Sequence, residues 1–188
     1  MTGVSVMEHE KQVRPETKGL VAVFTGNGKG KTTASLGLAF RALGHRQRVC
    51  VIQFLKGSWK YGELETAKQF PKLLDFHVMG RGFTWKSDDL EKDKKLALEA
   101  WAFAREVIQK NEYALVILDE LTYLPYYNIL EEREILSVLK DKPPEQHVVI
   151  TGRYASEELM ELADLVTEMK EIKHPYQSGV KAQKGFEF

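Results

Sequence analysis

Cysteine is nearly missing from this chain: Cys50 is the only one in 188 residues. A disulfide framework and a thiolate metal site are therefore excluded. Cys50 itself lies in the apolar run Val49-Cys50-Val51-Ile52, the setting of a small buried hydrophobe rather than of a nucleophile. Net charge is missing too, because 27 Lys and Arg balance 27 Asp and Glu. That balance removes the electrostatic footprint of a nucleic-acid binder and favours self-association. No apolar run approaches the roughly 18 residues of a membrane span. The stretch from Met1 to Lys18 is polar and lacks the apolar segment of a secretory signal. The expectation is a cytoplasmic protein with neither nucleic acid nor membrane as a partner.

What is present suits a single domain. Hydrophobic residues make up 43% of the chain and charged ones 29%, enough to bury a core and stay dissolved. Short apolar runs at 20–24, 49–54, 73–78, 115–118 and 148–150 are rich in branched or aromatic residues and read as strands buried on both faces. Helical spacing fills the gaps. Leu36, Ala39, Phe40 and Leu43 mark one helix, with Gly44 as its C-cap. The longest runs from Leu90 to Lys110, with Ser87 as N-cap and Leu98, Trp101, Ala102, Arg105 and Ile108 sharing faces. Residues 132–139 and 156–163 are shorter helices. The alternation predicts an α/β fold: one doubly wound, mainly parallel sheet flanked by helices. The domain is expected over 19–188, preceded by a flexible segment over 1–18. By composition, the ends before Gly19 and after Lys173 are solvated.

One segment carries chemistry by itself. Val23-Phe24 leads into Thr25-Gly26-Asn27-Gly28-Lys29-Gly30-Lys31-Thr32-Thr33, which follows a strand and opens a helix. That is the context of a Walker A loop, whose glycines let backbone N–H groups converge on a phosphate at a helix N-terminus. Lys31 would hold phosphate oxygens, and Thr32 would put its hydroxyl on Mg²⁺. Thr25 stands where the Walker pattern has glycine. A second apolar strand, Leu115 to Leu118, ends in Asp119 and Glu120, a Walker B arrangement. In a parallel sheet both segments converge beyond the carboxyl ends of the strands. From the residues alone, one acid binds Mg²⁺ and the other could serve a hydrolase as general base. An ATPase or kinase acting on the γ-phosphate, and a regulatory module whose aromatics stack on bases, stay open at this point.

Three loops narrow the choice. Gln53-Phe54-Leu55-Lys56-Gly57-Ser58-Trp59-Lys60-Tyr61-Gly62-Glu63, Gly80-Arg81-Gly82-Phe83-Thr84-Trp85, and Glu120-Leu121-Thr122-Tyr123 with Tyr126 and Tyr127 all follow strands and carry aromatics. Aromatic loops on a ligand-binding edge suit a large flat partner. In order, these segments, then Ile150-Thr151-Gly152-Arg153, Lys173-His174, Gly179-Val180-Lys181-Ala182-Gln183 and Gly185, resemble the ATP:corrinoid adenosyltransferases of cobalamin biosynthesis and salvage. The phosphate loop is similar to that family's, including its threonine at position 25. Two places depart. The chain reads Pro125-Tyr126-Tyr127-Asn128 where the family usually has an aspartate between aromatics, and Tyr154 where a small residue is common.

The resemblance implies a P-loop fold of RecA-like type and a specific reaction. Co(I) of a corrinoid attacks the 5′ carbon of ATP, which lies reversed in the loop, and triphosphate leaves. It implies that residues 25–33 (Thr25, Gly26, Asn27, Gly28, Lys29, Gly30, Lys31, Thr32 and Thr33) bind ATP. It implies further that Thr32 and Glu120 bind Mg²⁺, with Asp119 behind them, and that Lys31, Thr32, Glu120, Phe83 and Trp85 carry catalysis. Phe83 and Trp85 would displace the lower axial ligand of the corrinoid, and Arg153 would be a polar contact on the corrinoid side. A homodimer, a reduced flavoprotein as electron donor, and an N-terminal segment covering the active site complete what it implies.

Overall fold

The structure is a computed structural model and describes residues 18–55, 61–80 and 90–187. Six strands form one sheet: β1 (Val21–Thr25), β2 (Val49–Gln53), β3 (Leu74–Val78), β4 (Leu115–Asp119), β5 (His147–Thr151) and β6 (Leu165–Glu168). They pair in the order β3-β2-β4-β5-β1-β6, every pair parallel. The connecting helices are α1 (Lys31–Gly44), α2 (Gly62–Ala67), α3 (Leu90–Lys110), α4 (Tyr123–Tyr126), α5 (Glu132–Lys140) and α6 (Glu157–Leu162). The expected doubly wound α/β fold is what forms.

Alternation along the central strands explains why their apolar runs are continuous. Val21 and Val23 of β1, Cys50 and Ile52 of β2, Val116 and Leu118 of β4, and Val148 and Ile150 of β5 enter one core with α3, α5 and α6. Their neighbours Ala22, Phe24, Val49, Val51, Leu115, Ile117 and Val149 enter the other, against α1. A strand with helices over both faces cannot afford a polar side. Cys50 is fully buried, and desolvation pushes its thiol up to about 12, so it packs and does not react.

Several expectations need correction. Helix α1 runs through Gly44, and Arg46 supplies the left-handed residue beyond it, with φ 58°. On α3 the buried stripe is Ala97, Ala100, Trp101, Ala104, Val107 and Ile108, while Leu98 is exposed, as are Ala102 and Arg105. Small residues, spaced three and four apart, are what let this helix sit close on the sheet. Strand β6 had no signal: its four residues are all exposed at the sheet edge, so no apolar run marks it. Helices α2 and α4 are only a turn or so long, and α4 contains Pro125. The proposed cap Ser87 and residues 1–17 lie outside the described residues.

Candidate active site

The sheet order puts β5 between the strand that leads into the phosphate loop and the strand that ends in the two acids. The three carboxyl ends therefore meet, with Thr151 of β5 in the middle. Thr151 Oγ1 donates to Asp119 Oδ1 at 2.7 Å, and accepts the backbone N–H of Glu120 at 3.0 Å. Thr32 Oγ1, in the first turn of α1, donates to the same Asp119 oxygen at 2.8 Å. Gln53 Nε2, at the end of β2, donates to Asp119 Oδ2 at 2.9 Å. Asp119 is fully buried and its charge is spread over these three donors. Its role is to hold Thr32, Thr151 and Gln53 in register.

Glu120 is the half-buried acid of the pair, and it reaches the cleft. The chain turns at this residue through the left-handed region, φ 66°, which costs a non-glycine residue about 1–2 kcal/mol. The turn takes Glu120 out of the strand direction, and its carboxylate lines a cleft of about 640 Å³. Residues 27–33 form one wall of that cleft, and Tyr123 and Arg153 stand beside Glu120.

Lys31 is buried within the loop it serves. Its Nζ donates to the carbonyls of Gly26 at 2.7 Å and Gly28 at 2.8 Å. Burial pulls its pKa below 10.5 more than the nearby Glu120 carboxylate restores, and the Arg153 charge adds to the lowering. The ammonium thus waits on weak carbonyl acceptors with its charge poorly compensated, a state that a polyanion would relieve. At Gly26, φ is 94° and an added Cβ would meet the Met169 carbonyl oxygen at 2.4 Å, so only glycine fits.

Thr25, the departure from the Walker pattern, is buried, and its Oγ1 accepts the Ala155 N–H at 3.3 Å. It ties the phosphate loop to the turn that carries Arg153. That turn is held from a second side: the Thr122 hydroxyl donates to the Arg153 carbonyl. The two places where the chain departs from the resembled pattern touch one another, Tyr126 lying against Tyr154.

The tail after Lys173 is exposed along most of its length, as its composition suggests, but it does not lie apart from the site. Gly28 N–H donates to the Met169 carbonyl at 2.7 Å, directly after β6. Beyond it, His174, Gln177 and Phe186 line the cleft, and Glu187 pairs with Lys29 of the loop. Charge pairing across 158 residues of sequence is invisible to composition. The structure thus brings together Thr25, residues 26–33, Glu120 and Arg153. Phe83 and Trp85 lie outside the described residues. Gln53 and Thr151 each close an apolar strand with a polar residue, the one local signal of their part in the site, whereas nothing in the local sequence marks Thr122.

The donor set fits Mg²⁺. Among the described residues no group of three or more His, Cys, Asp or Glu forms a cage. Mg²⁺ is ordinarily held by one or two protein oxygens together with substrate phosphates, which the Thr32 hydroxyl and Glu120 carboxylate beside the loop would provide. No helix among the described residues is long and apolar enough to cross a membrane.

Residues 17–188 match the family ATP:corrinoid adenosyltransferase BtuR/CobO/CobP. A corrinoid adenosyltransferase of Sinorhizobium sp is 44% identical over 93% of this chain and 83% of its own. One from Pseudomonas aeruginosa is 43% identical over 97% and 90%. The crystal structure of the flagellar accessory protein FlaH from Methanocaldococcus jannaschii superposes with a TM-score of 0.50 over 81% of this chain and 71% of that one, at 12% identity. That likeness speaks for the fold alone.

Proposed function

This chain belongs to the ATP:corrinoid adenosyltransferase family and is a corrinoid adenosyltransferase, and from that premise we propose which of its residues perform the transfer. The triphosphate of ATP sits in residues 26–33, its negative charge received by loop N–H groups, the start of α1 and the Lys31 ammonium. As the bond from the 5′ carbon to oxygen breaks, charge accumulates on the departing triphosphate, and Lys31 stabilises it there. Cobalt in the Co(I) state brings its own electron pair to the 5′ carbon, so no residue has to remove a proton. Glu120 and the Thr32 hydroxyl would hold Mg²⁺, and Asp119 keeps Thr32 aimed by accepting the hydrogen bond of its hydroxyl. When bound, Mg²⁺ neutralises phosphate charge. Arg153 and Tyr123 form the corrinoid side of the cleft.

The observation that carries this reading is the state of Lys31: buried, undercompensated and held on two loop carbonyls beside the acid-lined end of the cleft. A γ-phosphate hydrolase would need a base on a water, whereas here the product is the whole triphosphate. The test is incubation with ATP, Mg²⁺ and chemically reduced Co(I)alamin, following the corrinoid spectrum and the phosphorus product. A new cobalt–carbon spectrum with inorganic triphosphate supports the proposal; ADP and phosphate with an unchanged corrinoid overturn it.

Phe83 and Trp85 are proposed to displace the lower axial nitrogen and so ease reduction to Co(I), since axial ligation is a strong lever on a metal's potential. A reduced flavoprotein is the proposed electron donor. A homodimer is supported by the exposed edge strand β6, whose Leu165 and Val166 are open to solvent.

A further inference from the structure

Two tyrosines distant in sequence lie face to face next to Tyr123, which lines the cleft. The rings of Tyr126 and Tyr154 are 3.9 Å apart with an interplanar angle of 12°. Stacking has not buried them: Tyr126 is 50% exposed and Tyr154 47%. Tyr154 also has φ 57°, a conformation glycine takes freely and a bulky residue resists. The chain thus holds a large ring against its backbone preference and leaves half of it open. Core packing does not explain such a residue.

Its surroundings suggest what the exposed part of the pair is for. Arg153 precedes it, with its carbonyl fixed by Thr122 and its side chain lining the cleft. Tyr123, which also lines the cleft, meets Tyr154 edge-on at 5.8 Å and 87°. Tyr127 braces Tyr126 from the side at 4.8 Å. A guanidinium next to a half-exposed aromatic pair matches a phosphate that carries a planar heteroaromatic base.

Both substrates contain that chemistry: ATP has its adenine, and a complete corrinoid has a phosphodiester-linked lower base. Position separates them. Neither Tyr126 nor Tyr154 lines the cleft beside the phosphate loop; both stand beyond Tyr123, outside it. An adenine tethered to a triphosphate in the loop stays inside. In four-coordinate Co(I) the lower base is off the metal and free to seat elsewhere. We infer that Tyr126 and Tyr154, with Arg153, form a subsite for the lower base and phosphate of a complete corrinoid, and so set the preference between complete and truncated corrinoids. This rests on the reading of the Arg153 side of the cleft as the corrinoid side.

The test compares Co(I)alamin with Co(I)binamide, which has the macrocycle but no nucleotide loop. In the Tyr126→Ala, Tyr154→Gly double variant, glycine relaxes the backbone at 154. The KM for cobalamin is expected to rise about tenfold, the scale of one lost base–aromatic stack. The KM values for cobinamide and ATP should stay within about twofold of wild type, which also reports that the fold survives. The Tyr126→Phe, Tyr154→Phe variant keeps the rings and should keep the wild-type KM for cobalamin. Equal rises for both corrinoids would reduce the pair to props for Arg153 and overturn the subsite. A rise in the KM for ATP would assign the rings to adenine. An unmoved cobalamin KM, with cobinamide still turned over by wild type, sinks the subsite and leaves the proposed reaction standing.

Discussion

Thr32 and Asp119 are joined by a hydrogen bond of 2.8 Å that links the first turn of α1 to the end of β4. Because Asp119 is buried and also receives Thr151 and Gln53, its charge and its shape can be separated by mutation. Asp119→Ala leaves two buried donors and the half-buried Thr32 hydroxyl without this acceptor and should cost about 3 kcal/mol, a fall in Tm of about 6–12 °C. Asp119→Asn keeps the shape, and a half-turn of the Gln53 amide lets Gln53 Oε1, a buried atom with no partner among the described residues, accept from the new amide in place of the bond that Gln53 Nε2 now donates. That variant should melt near wild type yet lose about 10- to 100-fold in Mg²⁺-dependent transfer. Thermal melts and kcat/KM on both variants check the split; an Asp119→Asn enzyme with full activity would refute it.

Lys31 gives a pH signature. Burial holds its free-state pKa below 10.5, and a bound triphosphate raises it. Below the free-state pKa the ammonium is already charged, and ATP affinity is at its plateau. As pH climbs through that value, binding must first take up a proton, so affinity falls. Calorimetry in buffers of different ionisation enthalpy should show proton uptake in this alkaline window. Lys31→Ala should abolish the uptake and lower kcat/KM about 100- to 1000-fold. Uptake that persists in Lys31→Ala would assign it to another group.

Glu120→Ala should weaken Mg²⁺-ATP about 10- to 100-fold, with partial recovery at high Mg²⁺. A shifted pH optimum with no response to metal would instead make Glu120 a proton acceptor. Titration of activity against Mg²⁺ at two pH values distinguishes them.

Replacing Phe83 and Trp85 together by alanine should leave Mg-ATP binding near wild type. Turnover starting from Co(II)alamin with a flavin-level reductant should collapse, while turnover from chemically prepared Co(I)alamin survives in large part. Equal losses in the two assays would mean that these aromatics only bind the corrinoid.

Gly152 sits at φ 143°, and a Cβ there would meet Thr122 Oγ1 at 2.1 Å. Gly152→Ala should therefore break the Thr122 bond to the Arg153 carbonyl, costing about 2 kcal/mol and raising the corrinoid KM. Adding Thr122→Ala removes the clash, so the double variant should be less damaged than the sum of the singles. Additive losses in that cycle would show that the two residues do not interact.

Much of this was legible in the sequence. The strands of the sheet interior announce themselves because burial on both faces demands unbroken apolar runs, and a glycine-rich loop before Lys31 has few other physical uses. What escaped detection depends on distance. Strand β6 is an exposed edge with no apolar run, and only pairing to β1 makes it a strand. The tail's place over the phosphate loop rests on Lys29 meeting Glu187, a pairing that no local pattern encodes. The role of Thr25 was hidden for the same reason, since its partner Ala155 belongs to another strand's loop.

The sheet order carries a consequence for how the chain is made. Strand β1 lies inside the sheet, yet its neighbours are β5 and β6, which begin at His147 and Leu165. On a ribosome adding about 5–20 residues per second, β1 waits roughly 6–25 seconds before its first partner is even synthesised. During that interval β2, β3 and β4 can pair among themselves, but the apolar segment that leads into the nucleotide site has no edge to join. Nucleotide cannot help fold the early chain, because Thr151 and the Met169 backbone that brace the loop are made later still. Binding of ATP thus marks a completed sheet, and the interior strand synthesised first is the one most in need of protection before the rest arrives.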